Sequence, residues 1–320
     1  MSLDIQRTPI NTRQVAKGDR AFFAISTSAA LFTLSLVIGV VVFLGIRSWS
    51  TFTEQGLGFL TGSTWDNTTE LGTYQIFPMV VGSVVIAILG LIIAIPVSIA
   101  VAYLIEYMAP PRVAKVAISL IDLLAAIPSI VIGLWGMLVL LPQAVQWSQL
   151  LTQHLGFIPI FQNEFGNAQG APFVAAWTIG IMITPIITSV SREVMGRVDK
   201  ELISASSALG GTNFSTMRRI VIPTAKSGII GGILLGLGRA LGETVAIFFV
   251  LNLVFEVNFF HILEPKGGSI ASLIVAKFSE APQSELNALM AAGVVLFIVT
   301  LIVNMIATSI VDRSERRMAN

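Results

Sequence analysis

The sequence contains no cysteine. Disulfides, thiol nucleophiles and thiolate metal sites are thereby excluded. Charge is scarce too: Asp, Glu, Lys and Arg make up 12% of the 320 residues, where a soluble domain carries about 25%. Net charge is +1, too little to suggest nucleic acid as a partner. No GxxxxGK[ST] phosphate loop is present, so ATP hydrolysis of that kind has to reside on another chain. HExxH, GxSxG and paired intramembrane carboxylates are also missing, which argues against an intramembrane enzyme, and no catalytic residue is assigned. His154 and His261 stand alone, with no second ligand at helical spacing, so no metal is expected.

What the sequence has in quantity is apolar residues, 54% of the total. They form runs longer than a bilayer-crossing helix needs, which is about 20 residues. Six spans are expected: Ala21–Ile46, Ile76–Ile105 with Pro96, Val113–Leu141 with Pro128, Phe173–Val190 with Pro185, Ser227–Leu251, and Leu289–Val311. The fold class is therefore an all-α polytopic membrane protein with six transmembrane helices. Its expected organisation is a polar tail (1–20), a first span and its loop (21–70), a five-helix core (71–311) containing a polar loop (191–226), and a second tail (312–320). The first run is too long for a signal-peptide core and follows a polar tail, so no cleaved leader is expected.

Fifteen of the nineteen Lys and Arg residues fall on one side of this arrangement. They are Arg7, Arg13, Lys17 and Arg20; Arg112 and Lys115; Arg192, Arg197, Lys200, Arg218, Arg219 and Lys226; and Arg313, Arg316 and Arg317. The positive-inside rule then places both termini in the cytoplasm. On the opposite side, Trp49, Trp65 and Tyr74 suit an interfacial aromatic belt. The Asn67–Thr69 sequon is a common chance triplet. Short surface helices or a partner-docking role are both open for Gln143–Pro172 and Asn252–Asn287.

Two stretches carry chemistry. In Lys200–Pro223, Asp199 is placed to cap a short helix through Leu209, and Gly210-Gly211 ends it. Thr212 is placed to cap a second, Asn213–Ile220, which stops before Pro223. Periodicity alone leaves an ordinary amphipathic connector open. The other stretch is the fifth span, where Gly228, Gly232, Gly236 and Ala240 form a small-residue stripe at four-residue spacing. Such stripes let helices approach closely in lipid, within the chain or to a homologous one. Arg239 is twelve residues past Ser227, about 18 Å along a helix, and Glu243 follows one turn later. Charges inside a membrane mark ion paths by default. A guanidinium offers a planar fork of donors that fits phosphate oxygens, which lysine lacks. A buried pair that only fixes packing is the alternative.

The loop resembles the EAA loop of binding-protein-dependent ABC importer permeases: Glu-Ala-Ala, three residues, Gly, nine residues, Ile-x-Leu-Pro. Ser204-Ala205-Ser206, Gly210 and Ile220-Val221-Ile222-Pro223 hold those places. Ser204 replaces the acid, and Glu201 lies one turn earlier. The resemblance implies a coupling helix seated in a groove of a separate ATPase, with Glu201, Ser204, Ala205, Gly210, Gly211, Thr212, Phe214 and Pro223 at that contact. Further, Gly236–Thr244 (GLGRALGET) with PTAKSGIIGG before it, Ile121–Gly136 (IDLLAAIPSIVIGLWG) and, less closely, Thr64–Gly82 resemble the PstC family of phosphate-specific ABC permeases. That family implies a type I ABC importer permease fold and import of inorganic phosphate, with Arg239 and Glu243 on the path. It implies four kinds of partner: a second, PstA-like permease, a PstB-like ATPase dimer holding ATP and Mg, a PstS-like external phosphate-binding protein, and lipid. A bacterial inner-membrane location follows. A permease for molybdate or sulfate and a passive anion channel are the alternatives.

Overall fold

The computed structural model describes residues 17–68 and 72–319, with side chains over 18–68 and 72–309. Arg7, Arg13, Thr69 of the sequon, and the side chains of Lys17, Arg313, Arg316 and Arg317 lie outside the described residues. In chain order, α1 (Lys17–Gln55) and α2 (Gly58–Thr61) precede a two-stranded hairpin, β1 (Trp65–Asp66) and β2 (Thr73–Tyr74). Next come α3 (Phe77–Tyr103) with a π-helical turn at Leu104–Met108, α4 (Pro111–Ala126), and α5 (Ser129–Trp135), joined by a second π turn (Gly136–Leu140) to α6 (Leu141–Leu155). Then follow α7 (Pro172–Met195), α8 (Lys200–Ala208) and α9 (Asn213–Thr216), the latter joined by a third π turn (Met217–Val221) to α10 (Ile222–Thr224). The chain closes with α11 (Lys226–Gly242), α12 (Val245–Val250), α13 (Ile270–Lys277) and α14 (Gln283–Ala319).

Among the described residues, five helical stretches are long and apolar enough to cross a membrane: Gly18–Gln55, Phe77–Met108, Ser129–Leu155, Pro172–Met195 and Gln283–Ser309. A sixth candidate is a bent pair, Asn213–Thr224 and Lys226–Gly242, meeting at 78°.

The chain divides into two units at Arg47/Ser48. The first holds most of α1. Its large apolar side chains from Phe22 to Ile46 are exposed, apart from half-buried Leu44, as suits a helix whose solvent is lipid. The second unit is the helical core. Its central pair is α3 and α7, brought together by reciprocal glycines. A Cβ on Gly90 would lie 2.9 Å from Ile179, and one on Gly180 would lie 3.1 Å from Ile93. Small residues allow this approach where no hydrophobic effect drives helices together. Ile86 and Ala94 of α3, Val174, Ile179, Ile183 and Ile187 of α7, Leu237 and Leu241 of α11, and Ile247 and Val250 of α12 close the main apolar cluster.

Two expected spans and one helix of the polar loop are corrected. Val113–Leu141 is not one helix: it breaks at Ile127, whose ψ of 129° is extended. Pro128 disfavours helical backbone in the residue before it and starts α5 afresh. The span there is Ser129–Leu155, so much of the expected loop Gln143–Pro172 is helix. Ser227–Leu251 is also broken, at Glu243–Thr244, between α11 and α12. Finally, the second helix of the polar loop does not stop before Pro223. It runs on to Thr224, because the π turn pairs Ile222 N–H with Met217 O and lets Pro223 enter at the start of α10. Pro96 and Pro185, by contrast, sit inside unbroken helices.

The aromatic belt is corrected as well. Trp49 is exposed, but Tyr74 is buried and Trp65 is half-buried. Trp65 stacks on Phe255 at 5.7 Å and donates from Nε1 to Glu285 Oε1 at 2.6 Å. Asn67 donates to the other oxygen of the same carboxylate at 3.2 Å. Glu285 lies in the first turn of α14, where the helix dipole favours an anion. The hairpin is thus fixed to the start of α14 instead of facing lipid.

Candidate translocation and coupling sites

The polar loop folds into an elbow of two short helices. Asp199 accepts from Glu201 N–H at 2.9 Å, and Thr212 Oγ1 accepts from Ser215 N–H at 3.2 Å. These bonds satisfy orphan amides at the starts of α8 and α9. Gly210 has φ of +78° with open space around it, so glycine is required there by conformation and not by crowding. The helices are tied by Ser206 Oγ and Thr216 Oγ1, 2.8 Å apart. Ser206 occupies an alanine place of the EAA pattern, so this departure supplies the tie.

Glu201 is exposed and makes no ion pair among the described residues. The elbow has two faces. Inward, Ile203 and Met217 pack on a cluster of Ala102, Tyr103, Met195, Val198 and Val221. Outward, Leu209 is 90% and Phe214 65% exposed, beside exposed Glu201, Ser204, Ala205, Thr212 and Pro223. Gly211 is half-buried against Ser206.

α11 rises from the elbow. Gly228 faces Val194, a Cβ on Gly232 would lie 3.1 Å from Val190, and one on Gly236 would lie 2.8 Å from Ile187. Ala240 is buried in the main cluster. The stripe therefore lies against α7 of the same chain. Gly231 and Gly242, in contrast, have nothing within 4 Å of a would-be Cβ.

Arg239 and Glu243 are brought together, but not as an ordinary helical pair. α11 ends at Gly242, and Glu243 has extended backbone (ψ 123°). Arg239 thus sits in the last turn of a helix, where carbonyl dipoles favour a cation. Its guanidinium is 3.9 Å from Glu243 Oε2, with side-chain exposures of 44% for Arg239 and 7% for Glu243. Glu243 Oε1 also accepts from Ala246 N–H at 3.2 Å, holding the start of α12. The carboxylate is bonded to the backbone, and the guanidinium is held loosely and left half-exposed. A break of this kind at membrane depth is tolerated where it is buried in protein or lines water.

Sequence reading passed over Asn304. It interrupts the apolar run of α14, and its Nδ2 is 4.0 Å from a would-be Cβ on Gly238. Its Oδ1 is enclosed without a hydrogen-bond partner. A lone amide inside a span was the available signal. Glu264 was also missed. It is 1% exposed, 3.0 Å from Lys266 Nζ and 3.9 Å from His261 Nδ1, and accepts from Glu164 N–H. This buried carboxylate joins the loop after α6 to the loop after α12, and it raises the Lys266 pKa chiefly through their hydrogen bond. His261, expected to be isolated, belongs to this group. His154 Nδ1 lies 2.9 Å from Leu150 O, one turn back on its own helix.

Residues 94–320 match the family described as "Binding-protein-dependent transport system inner membrane component". The chain is 36% identical over 297 residues to the phosphate transport system permease protein PstC of Pasteurella multocida, covering 90% of each chain. The PstC of Xylella fastidiosa is 35% identical, with 95% of this chain and 94% of the relative covered. PstC 2 of Mycobacterium tuberculosis is 31% identical, with 94% of each covered. The chain belongs to the PstC family of ABC importer permeases. The fold agrees. It resembles a chain of a bacterial alginate ABC transporter, solved with an alginate-bound periplasmic protein, at a TM-score of 0.61 and 15% identity, covering 93% of this chain and 96% of that one. It resembles the inward-facing MetNI methionine ABC transporter at 0.51 and 14%, covering 74% and 93%. The architecture is the type I ABC importer permease fold, and the protein is a multi-pass inner-membrane transport subunit, not an enzyme.

Proposed function

We propose that this chain is the permease subunit of an ATP-driven importer of inorganic phosphate, forming part of the path and coupling it to a separate ATPase by alternating access. The single observation that carries the chemistry is a half-exposed guanidinium at the end of a helix that breaks inside an apolar stretch. A fork of fixed positive charge binds phosphate oxygens bidentately at any working pH. Likeness over nine-tenths of the chain to permeases named for phosphate transport supports the choice of anion.

In this reading a PstA-like permease completes the path. A PstB-like ATPase dimer holds ATP and Mg and grips the elbow at Leu209 and Phe214. A PstS-like binding protein delivers phosphate from outside. Both termini and the elbow face the cytoplasm, as the distribution of Lys and Arg demands. ATP binding closes the dimer and pulls on the elbow, and α11 turns Arg239 from one side of the membrane to the other. The test is uptake of radiolabelled phosphate by proteoliposomes holding the complete complex. Uptake should require ATP and be competed by phosphate far better than by molybdate or sulfate. Uptake without nucleotide would make the chain a passive channel, and stronger competition by another oxyanion would reassign the substrate.

A further inference from the structure

The inner face of the elbow meets the end of α3 through two phenols. Tyr103, the last residue of α3, is buried, and its hydroxyl donates to the carbonyl of Asn213 at 2.9 Å. Asn213 is the first residue of α9, in the middle of the elbow. Tyr107, one turn on, donates to the carbonyl of Met195. Met195 is the last residue of α7, where the chain enters the elbow. The two rings lie 5.0 Å apart. One short stretch of α3 therefore holds both the entry and the middle of the elbow.

Backbone satisfaction does not require these bonds. Met195 O already accepts from Val198 N–H, and Asn213 O from Met217 N–H. Each phenol uses a second lone pair, so what it adds is a tie between elements distant in sequence. The apolar contacts beneath the elbow are non-directional and permit sliding. A hydrogen bond is directional and resists it. Tyr107 also lies within the π-helical turn Leu104–Met108, a departure from regular helix that recurs at functional sites. Beyond that turn, α3 is locked to α7 at Gly90 and Gly180, so a push at Tyr103 is delivered to the centre of the bundle.

We propose that Tyr103 and Tyr107 are positioning residues that convert displacement of the elbow into movement of α3, and so set how much transport each ATP yields. The proposal rests on the permease reading above. Its test uses the complete importer in proteoliposomes, reading phosphate taken up per ATP hydrolysed. Tyr103→Phe and Tyr107→Phe keep the rings and their packing. Each should leave ATP hydrolysis and co-purification of the ATPase near wild type while lowering the transport ratio at least about fivefold, the lower end of typical coupling effects. Tyr74→Phe removes a buried phenol bonded to Ser284 near the hairpin, and should leave the ratio unchanged. A wild-type ratio in both Tyr103→Phe and Tyr107→Phe overturns the proposal. So does a parallel fall of hydrolysis and uptake with a lowered melting temperature, which would mean a purely structural role. If the wild-type complex takes up no phosphate, the permease reading fails first and this proposal with it.

Discussion

The two ends of α11 are built from the same few residue types to opposite effect. At its start, Gly228, Gly232 and Gly236 are pressed against Val194, Val190 and Ile187 of α7. At its finish, Gly242 is open, the helix stops, and Arg239 reaches its only acidic neighbour among the described residues at 3.9 Å. Glycine serves close packing at one end and freedom at the other. A rigid, packed base with a loose, charged tip suits a lever that is moved from below and binds at its end.

The sharpest break in that comparison is at the tip. Arg239→Leu should abolish phosphate uptake, a loss of at least about 100-fold for removing a charge-assisted bidentate contact. Co-purification of the ATPase should stay normal; retained uptake would remove Arg239 from the path. At the elbow below the base, Gly210→Pro should uncouple the motor, because proline cannot adopt the φ of +78° found there. Phosphate-stimulated ATP turnover at the wild-type level would contradict this. Within the base, Gly232→Leu should destabilise the purified chain by about 1–3 kcal/mol through overpacking. Gly231→Leu, on open space one residue earlier, should change its melting temperature little. Equal effects would show that the base is not packed as described. Arg239→Lys refines the tip: it keeps the charge and loses the fork, so uptake should be impaired but measurable.

A smaller effect lies far from both ends. The Lys266 pKa is raised above its ordinary value, chiefly by the hydrogen bond to Glu264. A raised lysine contributes stability that is complete below the unfolded pKa of about 10.4 and is lost as pH rises through the folded value. Between pH 7 and 9 this stabilisation is fully present, so thermal unfolding should show no pH dependence from the pair there, with destabilisation appearing only at higher pH.

Much of the fold was legible because its signals are local. Long apolar runs give spans, Asp199 and Thr212 give helix starts, and Gly210 gives the turn between them. These depend on bonds between residues a few positions apart. The legibility failed where neighbours decide. Pro96 and Pro128 look alike in the sequence, yet only Pro128 ends a helix, because α3 is clamped to α7 along its length while α4 has no buried residue to hold it in line. Trp65 and Tyr74 read as belt residues, and a carboxylate 220 positions away drew Trp65 inward. The pair Arg239 and Glu243 was found from its charges in an apolar run. Its division of labour was not, since nothing local says that Glu243 would turn to the Ala246 amide.

The sequence by itself determined a helical membrane protein with a two-helix elbow and one guanidinium within an apolar run, because composition, charge placement and capping act over a few residues. Only the tertiary structure decided that the glycine stripe lies on α7, that α11 ends at Gly242, within a turn of Arg239, and that two tyrosines tie the elbow to α3. Those outcomes depend on which surfaces meet, and a linear pattern holds no record of distance between helices.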